Sequence, residues 1–529
     1  MYFFRRILKI LLPGPLFRAI QSAYHFVLAF CSALYYGYPS KHLYVIGVTG
    51  TKGKSSTAEI VNTILEEAGL NTALASTIRF KIGDESRRNL FKMTMPGRFF
   101  IQKFLKDAYK AHCSHVVMEM TSEGVKQHRH KYIYLDALIF TNLSPEHIEA
   151  HGSYEKYIAA KLELKKLLEH SPKKIRTIVA NMDDERGEDF LSANVERKVP
   201  YTLKDAEPYK TREDGVGLTL EGIYVSSPLR GLFNIYNILA ATSFAKSKGI
   251  TLEIIKRALQ KLDHIPGRVE LLRGSNFDVV VDYAHTPDSL TKLYDTFQGK
   301  DKICVLGNTG GGRDKWKRPE MGRIANEYCK KIILTNEDPY DEDPQKIVND
   351  MAAVISKKKL WVVMDRRSSI RKALEIAKPK EVVLITGKGT DPYIMGPRGK
   401  KEPWNDRRVV EEELNKIFEE ENSKKNIKPD ISNDFRAKLK NNGLETLTEK
   451  ELGEIIINNI QEKYNYKQRV NLDNPEIIIF FYLIKNKCYF GIDFASSLDK
   501  RSYKIFTHAS DINGTIGYFL VRISDYNNN

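Results

Sequence analysis

The chain has 529 residues, of which 42% are apolar and 28% charged, three to four times a typical domain of about 150 residues. That balance excludes a wholly disordered chain, a collagen-like fibre and a polytopic membrane protein. Lys and Arg number 83 against 67 Asp and Glu, a formal net charge of +16, which favours phosphate-rich partners without choosing among nucleotides, nucleotide-sugars and nucleic acid.

Residues 1–40 read as an apolar and basic helical segment. Arg5, Arg6, Lys9 and Arg18 sit among apolar residues, and Ala19 to Ser40 holds no charged side chain. The stretch is long enough for a bilayer, which takes roughly 20 helical residues, but Gln21, Ser22, His25 and Ser32 interrupt it. Two readings stay open: a helix packed on the next domain, or an anchor lying on or across a membrane. No small-residue cleavage site follows, which argues against a secretory signal. The five cysteines, Cys31, Cys113, Cys304, Cys329 and Cys488, form no C-x-x-C pair. Their spacing speaks against a disulfide framework or structural zinc and fits a reducing cytoplasm. A cytoplasmic location is expected, with membrane association at the inner face left open.

From Leu43 the text alternates strand and helix. Leu43 to Val48 is a β-branched run that reads as a buried parallel strand, followed by a glycine turn and a helix from Thr57 to Ala68. Further strands are expected at Ser114–Met120, Ala137–Thr141 and Thr177–Asn181. A second set is expected at Val279–Asp282, Ile303–Gly307, Lys331–Thr335, Leu360–Met364 and Val382–Thr386, with Gly-Pro text at Ile265–Arg268 marking the join. The fold class is α/β, a mostly parallel sheet in each half. Domains are expected at 41–264 and 265–421. A polar, Lys/Asn-rich linker at 422–434 and a small α+β appendage at 435–529 follow.

The strongest local signal is Gly50-Thr51-Lys52-Gly53-Lys54-Ser55, continued by Ser56, between a strand and a helix. The glycines let backbone N–H groups approach phosphate oxygens, and the helix N-terminus adds favourable partial charge. Lys54 can neutralise β- and γ-phosphates and the Ser55 hydroxyl can bind Mg²⁺. The common G-x-x-x-x-G-K-[ST] form needs glycine where Val48 stands, so this is a shorter variant. Glu119 closes a buried apolar strand, where a lone carboxylate is costly unless it meets a cation, and Mg²⁺ is the assigned one.

VTGTKGKSS (48–56) resembles the VTGTNGKTT loop of the Mur ligase family, with Lys52 in place of Asn. VMEMTSEG (117–124), TNLSPEHIEAHGSYEKYIAAK (141–161) and GLFNIYNILAA (231–241) resemble that family's central motifs. VDYAHTPDSL (281–290), GGGRDKWKRPEMG (310–322) and ITGKGTD (385–391) resemble its C-terminal signatures. The likeness is greatest to the synthetases that add the third amino acid to a UDP-N-acetylmuramoyl-peptide. It implies a central ATPase domain and a Rossmann-like ligase domain. It also implies an ATP-dependent amide-bond ligase that works through an acyl phosphate, with a muropeptide nucleotide and a diamino acid as substrates.

The resemblance further implies roles. His147 is a candidate ligand for a second Mg²⁺, and Lys161 is carbamylated by CO₂, so that Ser55, Glu119, His147 and Lys161 form the metal set. Asn234 and Asn237 lie near adenine. Arg268, Asp282, His285, Arg313 and Lys317 close over the phosphates and ribose from the second domain. Thr94, Pro96, Thr121, Ser122 and Arg129 face the muropeptide, although Met95 and Glu123 replace a family Thr and His. The D-N-P-R loop that grips diaminopimelate reads Glu337-Asp338-Pro339-Tyr340, with no arginine for a distal carboxylate. Its acidic run, Glu337 to Asp343, suits a cationic side chain such as lysine, or is a solvated turn. Lys388 and Asp391 lie where the family's G-K-G-H-E meets the incoming amine. Only about 40 residues precede the phosphate loop, so recognition of UDP is in doubt. A lipid-linked muropeptide ligase and a folylpolyglutamate synthase-like enzyme are the competing readings.

Asn474 to Asp493 alternates apolar and polar residues and reads as a β-hairpin. With Leu498 to Val521 it resembles the end of a THUMP-type RNA-binding module and the opening helix of an attached methyltransferase. Lys500, Arg501, Tyr503 and Lys504 are candidates for RNA phosphate contacts, which gives a third reading: a nucleic-acid-binding protein, or a ligase with an added tRNA-binding role. No S-adenosylmethionine loop or methylase motif follows, so the module reads as truncated.

Overall fold

The computed structural model describes residues 14–146, 148–274, 276–312 and 315–424, and strands 477–484, 487–494, 506–508 and 518–523. The chain divides into two compact units, Met1–Ile417 and Phe418–Asn529.

The first unit opens with helix α1 (Gly14–Tyr36). Its small residues Ala29, Ser32 and Ala33 are buried, and rings of the same helix meet the next domain, Phe30 lying 5.7 Å from Tyr132. The packed-helix reading is therefore what the described residues adopt, and none of their helices is long and apolar enough to cross a membrane.

An eight-stranded sheet follows. Its strands are β1 (Tyr44–Thr49), β2 (Thr72–Ala75), β3 (Arg79–Ile82), β4 (Glu85–Arg88), β5 (His115–Glu119), β6 (Ala137–Phe140), β7 (Thr177–Asn181) and β8 (Arg197–Tyr201). The spatial order is β4-β3-β2-β5-β1-β6-β7-β8. From β2 to β8 every pairing is parallel, and β3 and β4 form an antiparallel edge. The apolar run of β1 is covered on both faces, as a buried parallel strand requires. One face packs Ile46 and Val48 under α2 (Lys54–Glu67), and the other packs Val45, Met118 and Phe140. Helix α2 begins three residues earlier than Thr57, so Lys54 and Ser55 stand in its first turn. A three-stranded antiparallel sheet, β9 (Lys210–Arg212), β10 (Gly215–Leu220) and β11 (Ile223–Ser227), covers part of this core.

The second sheet holds β12 (Glu270–Arg273), β13 (Asp278–Val281), β14 (Lys302–Leu306), β15 (Lys331–Leu334), β16 (Leu360–Val362) and β17 (Val382–Ile385) in the order β12-β13-β17-β14-β15-β16. All pairings are parallel except the antiparallel β12. Cys304 on β14 and Cys329 just before β15 are disulfide-bonded, 6.1 Å apart at Cα. This corrects the reading of the cysteines from spacing: a β-α-β crossover brings together two residues that sequence separates by 25. A short ribbon, β18 (Tyr393–Met395) with β19 (Lys401–Pro403), precedes the helix Asp406–Lys424. That helix occupies the first residues of the expected linker.

Among its described residues the second unit has four antiparallel strands, β20 (Ile477–Ile484), β21 (Lys487–Phe494), β22 (Phe506–His508) and β23 (Tyr518–Ile523), ordered β22-β21-β20-β23. The hairpin expected at 474–493 is β20 and β21. Within 498–521, the stretch that resembles a module's end and the opening helix of a methyltransferase, the described residues 506–508 and 518–521 are in strands, and β23 pairs with β20. Lys500, Arg501, Tyr503 and Lys504 lie outside the described residues.

Candidate active site

In parallel sheets ligands gather outside the carboxyl ends of the strands. Strand order β5-β1-β6 sets three such ends side by side: Glu119, the phosphate loop, and Asn142 to Glu146. Gly50 takes φ +145° and a Cβ there would meet Thr141 Oγ1 at 2.0 Å; Gly53 takes φ +79° and its Cβ would meet Asn237 Oδ1 at 2.3 Å. Both turns therefore need glycine. The loop is braced from outside: Thr141 Oγ1 donates to the Lys52 carbonyl at 2.7 Å, and the Lys52 N–H donates to Asn142 Oδ1 at 2.9 Å.

Lys54 Nζ curls back to the carbonyls of Gly50 at 3.0 Å and Thr51 at 2.8 Å. Burial lowers its pKa, with Glu119 and Glu146 pulling the other way. Ser55 Oγ donates to Glu119 Oε1 at 2.7 Å, and the Thr77 N–H donates to the other Glu119 oxygen. Lys161, 2% exposed, donates to the Gly50 carbonyl at 2.8 Å. Burial, and behind it the Lys54 charge, push its amine well below the usual lysine range. A buried amine that gives up its proton can add to CO₂, forming an N–C bond and releasing a proton, and the anion formed then suits a site of cations.

The donor set fits Mg²⁺, which takes few protein ligands and completes its shell with phosphate and water. Ser55 and Glu119 are already adjacent. Among the described residues no three His, Cys, Asp or Glu side chains form a ready metal cage. His147 and Arg313 lie outside the described residues.

The second sheet meets this loop through its own carboxyl ends. Arg268 donates to Ser55 Oγ at 3.3 Å and lies over the Tyr283 ring at 4.4 Å. His285 Nε2 is 3.3 Å from Glu146 Oε1, which also pairs with Lys52 at 3.0 Å. Asp282 accepts the N–H groups of Val269 and Ala284, so it fixes the turn that carries Arg268 and His285. Burial raises its pKa and Arg268 opposes the rise. Asn234 and Asn237 share a 2.9 Å hydrogen bond on the helix Leu232–Ser247, and Asn237 also reaches Thr57. Lys317 is buried at the start of the helix Lys317–Tyr328.

Of the residues expected to face the muropeptide, Thr94 meets Thr77 at 2.8 Å. Pro96 borders a small cavity with Met95 and Glu119. Thr121 caps the helix Ser122–Lys126, and Ser122 meets His151 at 3.1 Å. Arg129 donates to the Met95 carbonyl and to Gln127 Oε1.

Glu337 and Asp338 are buried, which removes the solvated-turn reading for them. Lys388, wholly buried, donates to Asp338 Oδ1 and Asp391 Oδ2, each at 2.9 Å. Lys92 reaches across from the first sheet's domain to Asp338 at 2.6 Å and Asp391 at 3.0 Å. One oxygen each of Glu337 and Asp391 is buried without a hydrogen-bond partner. Arg88 donates to the main-chain carbonyls of Thr390, Asp391 and Trp404. Lys92, Arg88 and Glu146 are site residues that motif reading passed over. Glu146 stood inside a quoted motif, one residue before His147, and Lys92 stands two before Thr94.

A Mur ligase middle domain model matches residues 48–245, a Mur ligase glutamate ligase domain model residues 267–389, and a THUMP domain model residues 409–493. The chain is 35% identical over 403 residues to the UDP-N-acetylmuramoyl-L-alanyl-D-glutamate--2,6-diaminopimelate ligase of Syntrophomonas wolfei, covering 73% of this chain and 81% of that one. To the protein of the same name from Aquifex aeolicus it is 37% identical over 390 residues, covering 72% and 79%. A solved structure of a UDP-N-acetylmuramoyl-L-alanyl-D-glutamate--2,6-diaminopimelate ligase superposes with a TM-score of 0.50 at 27% identity, over 71% of this chain and 79% of that one. With the phosphate loop, the buried lysine and the two facing sheets in place, the chain belongs to the Mur ligase family.

Proposed function

We propose that the protein joins a carboxylate of a UDP-N-acetylmuramoyl-dipeptide to the amine of a diamino acid, using ATP, in peptidoglycan precursor synthesis on the cytoplasmic side. The observation that carries this reading is that the domains of the two sheets meet with a cation-rich phosphate loop on one side and a cluster of buried carboxylates, Glu337, Asp338 and Asp391, on the other. The acceptor carboxylate attacks the γ-phosphate to give an acyl phosphate, and the amine displaces the phosphate. Phosphoryl transfer needs positioning and charge neutralisation more than covalent help from protein. Lys54 and the loop N–H groups hold the phosphates, and Arg268 and His285 bring the second sheet's edge to them. Ser55 and Glu119, with a carbamate on Lys161 and with His147, would hold Mg²⁺, which would supply charge neutralisation there. The unpartnered oxygens of Glu337 and Asp391 suit an ammonium group, and Tyr340 in place of arginine favours lysine over diaminopimelate. The THUMP match adds RNA, tRNA included, as a second ligand class for the last hundred residues.

Release of phosphate from ATP by purified protein, with UDP-N-acetylmuramoyl-dipeptide and a panel of amino acids, tests the reading. Release that depends on both substrates, strongest with lysine, is expected. Turnover only with a folate acceptor would refute the muropeptide assignment.

A further inference from the structure

The side of α1 turned away from the protein is unusual for a water-facing helix. Ile20, Tyr24, Val27, Leu34 and Tyr35 are all exposed, Leu34 at 58% and Tyr35 at 76%, and Phe30, also exposed, borders them where it meets Tyr132. The spacing of 4, 3, 7 and 1 keeps the five on one helical face. Phe99, itself exposed, lies 6.4 Å from Tyr35 and extends the patch onto the helix Arg98–Lys110. Soluble monomers rarely leave a contiguous apolar surface of this extent in water.

The charges in the sequence before and within α1 point to the occupant of the patch. No Asp or Glu precedes Glu59, whereas Arg5, Arg6, Lys9 and Arg18 all do. Apolar residues on one face, basic residues in the flanking sequence and no carboxylates are the pattern of a helix in the headgroup layer of an anionic bilayer. Tyrosines at Tyr24, Tyr35 and Tyr36 suit the headgroup boundary. A 23-residue helix is about 35 Å long, enough to lie along such a surface.

The opposite side of α1 connects to the acceptor side of the cleft. Ser22 Oγ lies 2.8 Å from His128 Nε2, and Phe26 packs on the His128 ring. The next residue, Arg129, holds the Met95 carbonyl.

We propose that α1 docks this ligase on an anionic membrane surface, apolar face inward, placing the muropeptide side of the cleft beside the bilayer. The proposal deepens the ligase reading by giving that same site a location. Its test uses neither ATP nor muropeptide, so either can fail alone.

The full chain is sedimented with vesicles of phosphatidylglycerol and phosphatidylcholine, and with phosphatidylcholine alone. At least tenfold stronger partition to the anionic vesicles is expected, weakening as salt rises. The double variant Val27→Asp with Leu34→Asp, both at exposed positions, should lose that partition. In case the double variant fails to fold, Val27→Trp gives a second readout, a blue shift of fluorescence on adding anionic vesicles. Wild-type protein that stays in the supernatant, or a tryptophan whose emission does not move, overturns the proposal. So does a dimer in solution that Leu34→Asp dissociates while vesicle binding is absent, which would assign the face to a second copy.

Discussion

The two ends of the cleft carry opposite electrostatic surpluses. Around the phosphate loop, Lys52, Lys54 and Arg268 stand against Glu119 and Glu146, three cations to two carboxylates, while burial holds the Lys161 amine well below the usual lysine range. At the carboxyl ends of β15 and β17, Lys92 and Lys388 are matched by Asp338 and Asp391, and Glu337 adds a carboxylate. Arg366 pairs with Asp406 at 2.8 Å and its charge also draws on Glu337. The first end lacks anions, and at the second the oxygens of Glu337 and Asp391 left without a hydrogen-bond partner are what a cation would complete. ATP phosphates and an ammonium group are the respective complements, and burial makes each mismatch costlier than it would be in water.

Breaking the phosphate end should have the largest effect. Lys161→Ala is expected to lower kcat by about 10³, roughly 4 kcal/mol, and Lys161→Arg should not rescue it, because a guanidinium forms no carbamate. Bicarbonate-free buffer should slow the wild type in the phosphate-release assay; an unchanged rate in both tests would remove the carbamate role. At the amine end, Asp338→Ala leaves Lys388 buried beside a single carboxylate. A stability loss of about 3 kcal/mol is expected in urea unfolding, and Asp338→Asn should raise KM for the amino acid while leaving KM for ATP unchanged.

A third test concerns the loop that carries Asp338. The Arg318 guanidinium holds the Glu342 carboxyl at about 2, against an ordinary 4.5. A carboxyl with a depressed folded pKa stabilises above its unfolded value, so this contribution, about 2 kcal/mol, is complete above pH 4.5 and is lost as pH falls towards 2. Glu342→Gln should flatten that part of the stability profile. The smallest effects sharpen the contrast most. Lys52→Met should raise KM for ATP about tenfold, and Lys92→Met should do the same for the amino acid, about 1.4 kcal/mol each. If either variant moves both constants equally, the two ends are not electrostatically separate.

The phosphate end was legible in sequence because its parts are contiguous. A β-branched strand, a glycine turn and Lys54-Ser55 follow one another, and covered parallel strands such as β1 and β7 read as apolar runs. The amine end was only half legible. Lys92 and Asp338 meet across 246 residues, a contact made by docking two sheets, which no local pattern records. Strands β3 and β4 were missed because they form a solvent-facing edge with the polar text of Arg79–Ile82 and Glu85–Arg88. The Cys304–Cys329 bond was missed because a β-α-β crossover within one sheet brings together residues 25 apart in sequence.

The helix Asp406–Lys424 belongs to two descriptions at once. Val409 and Val410 are buried in the core beneath β13, β14 and β17, yet the THUMP match starts at residue 409. Splitting the gene at that boundary would strip two valines from the ligase interior. A fragment meant to isolate the second unit has to begin beyond Ile417, and a ligase fragment has to retain the helix.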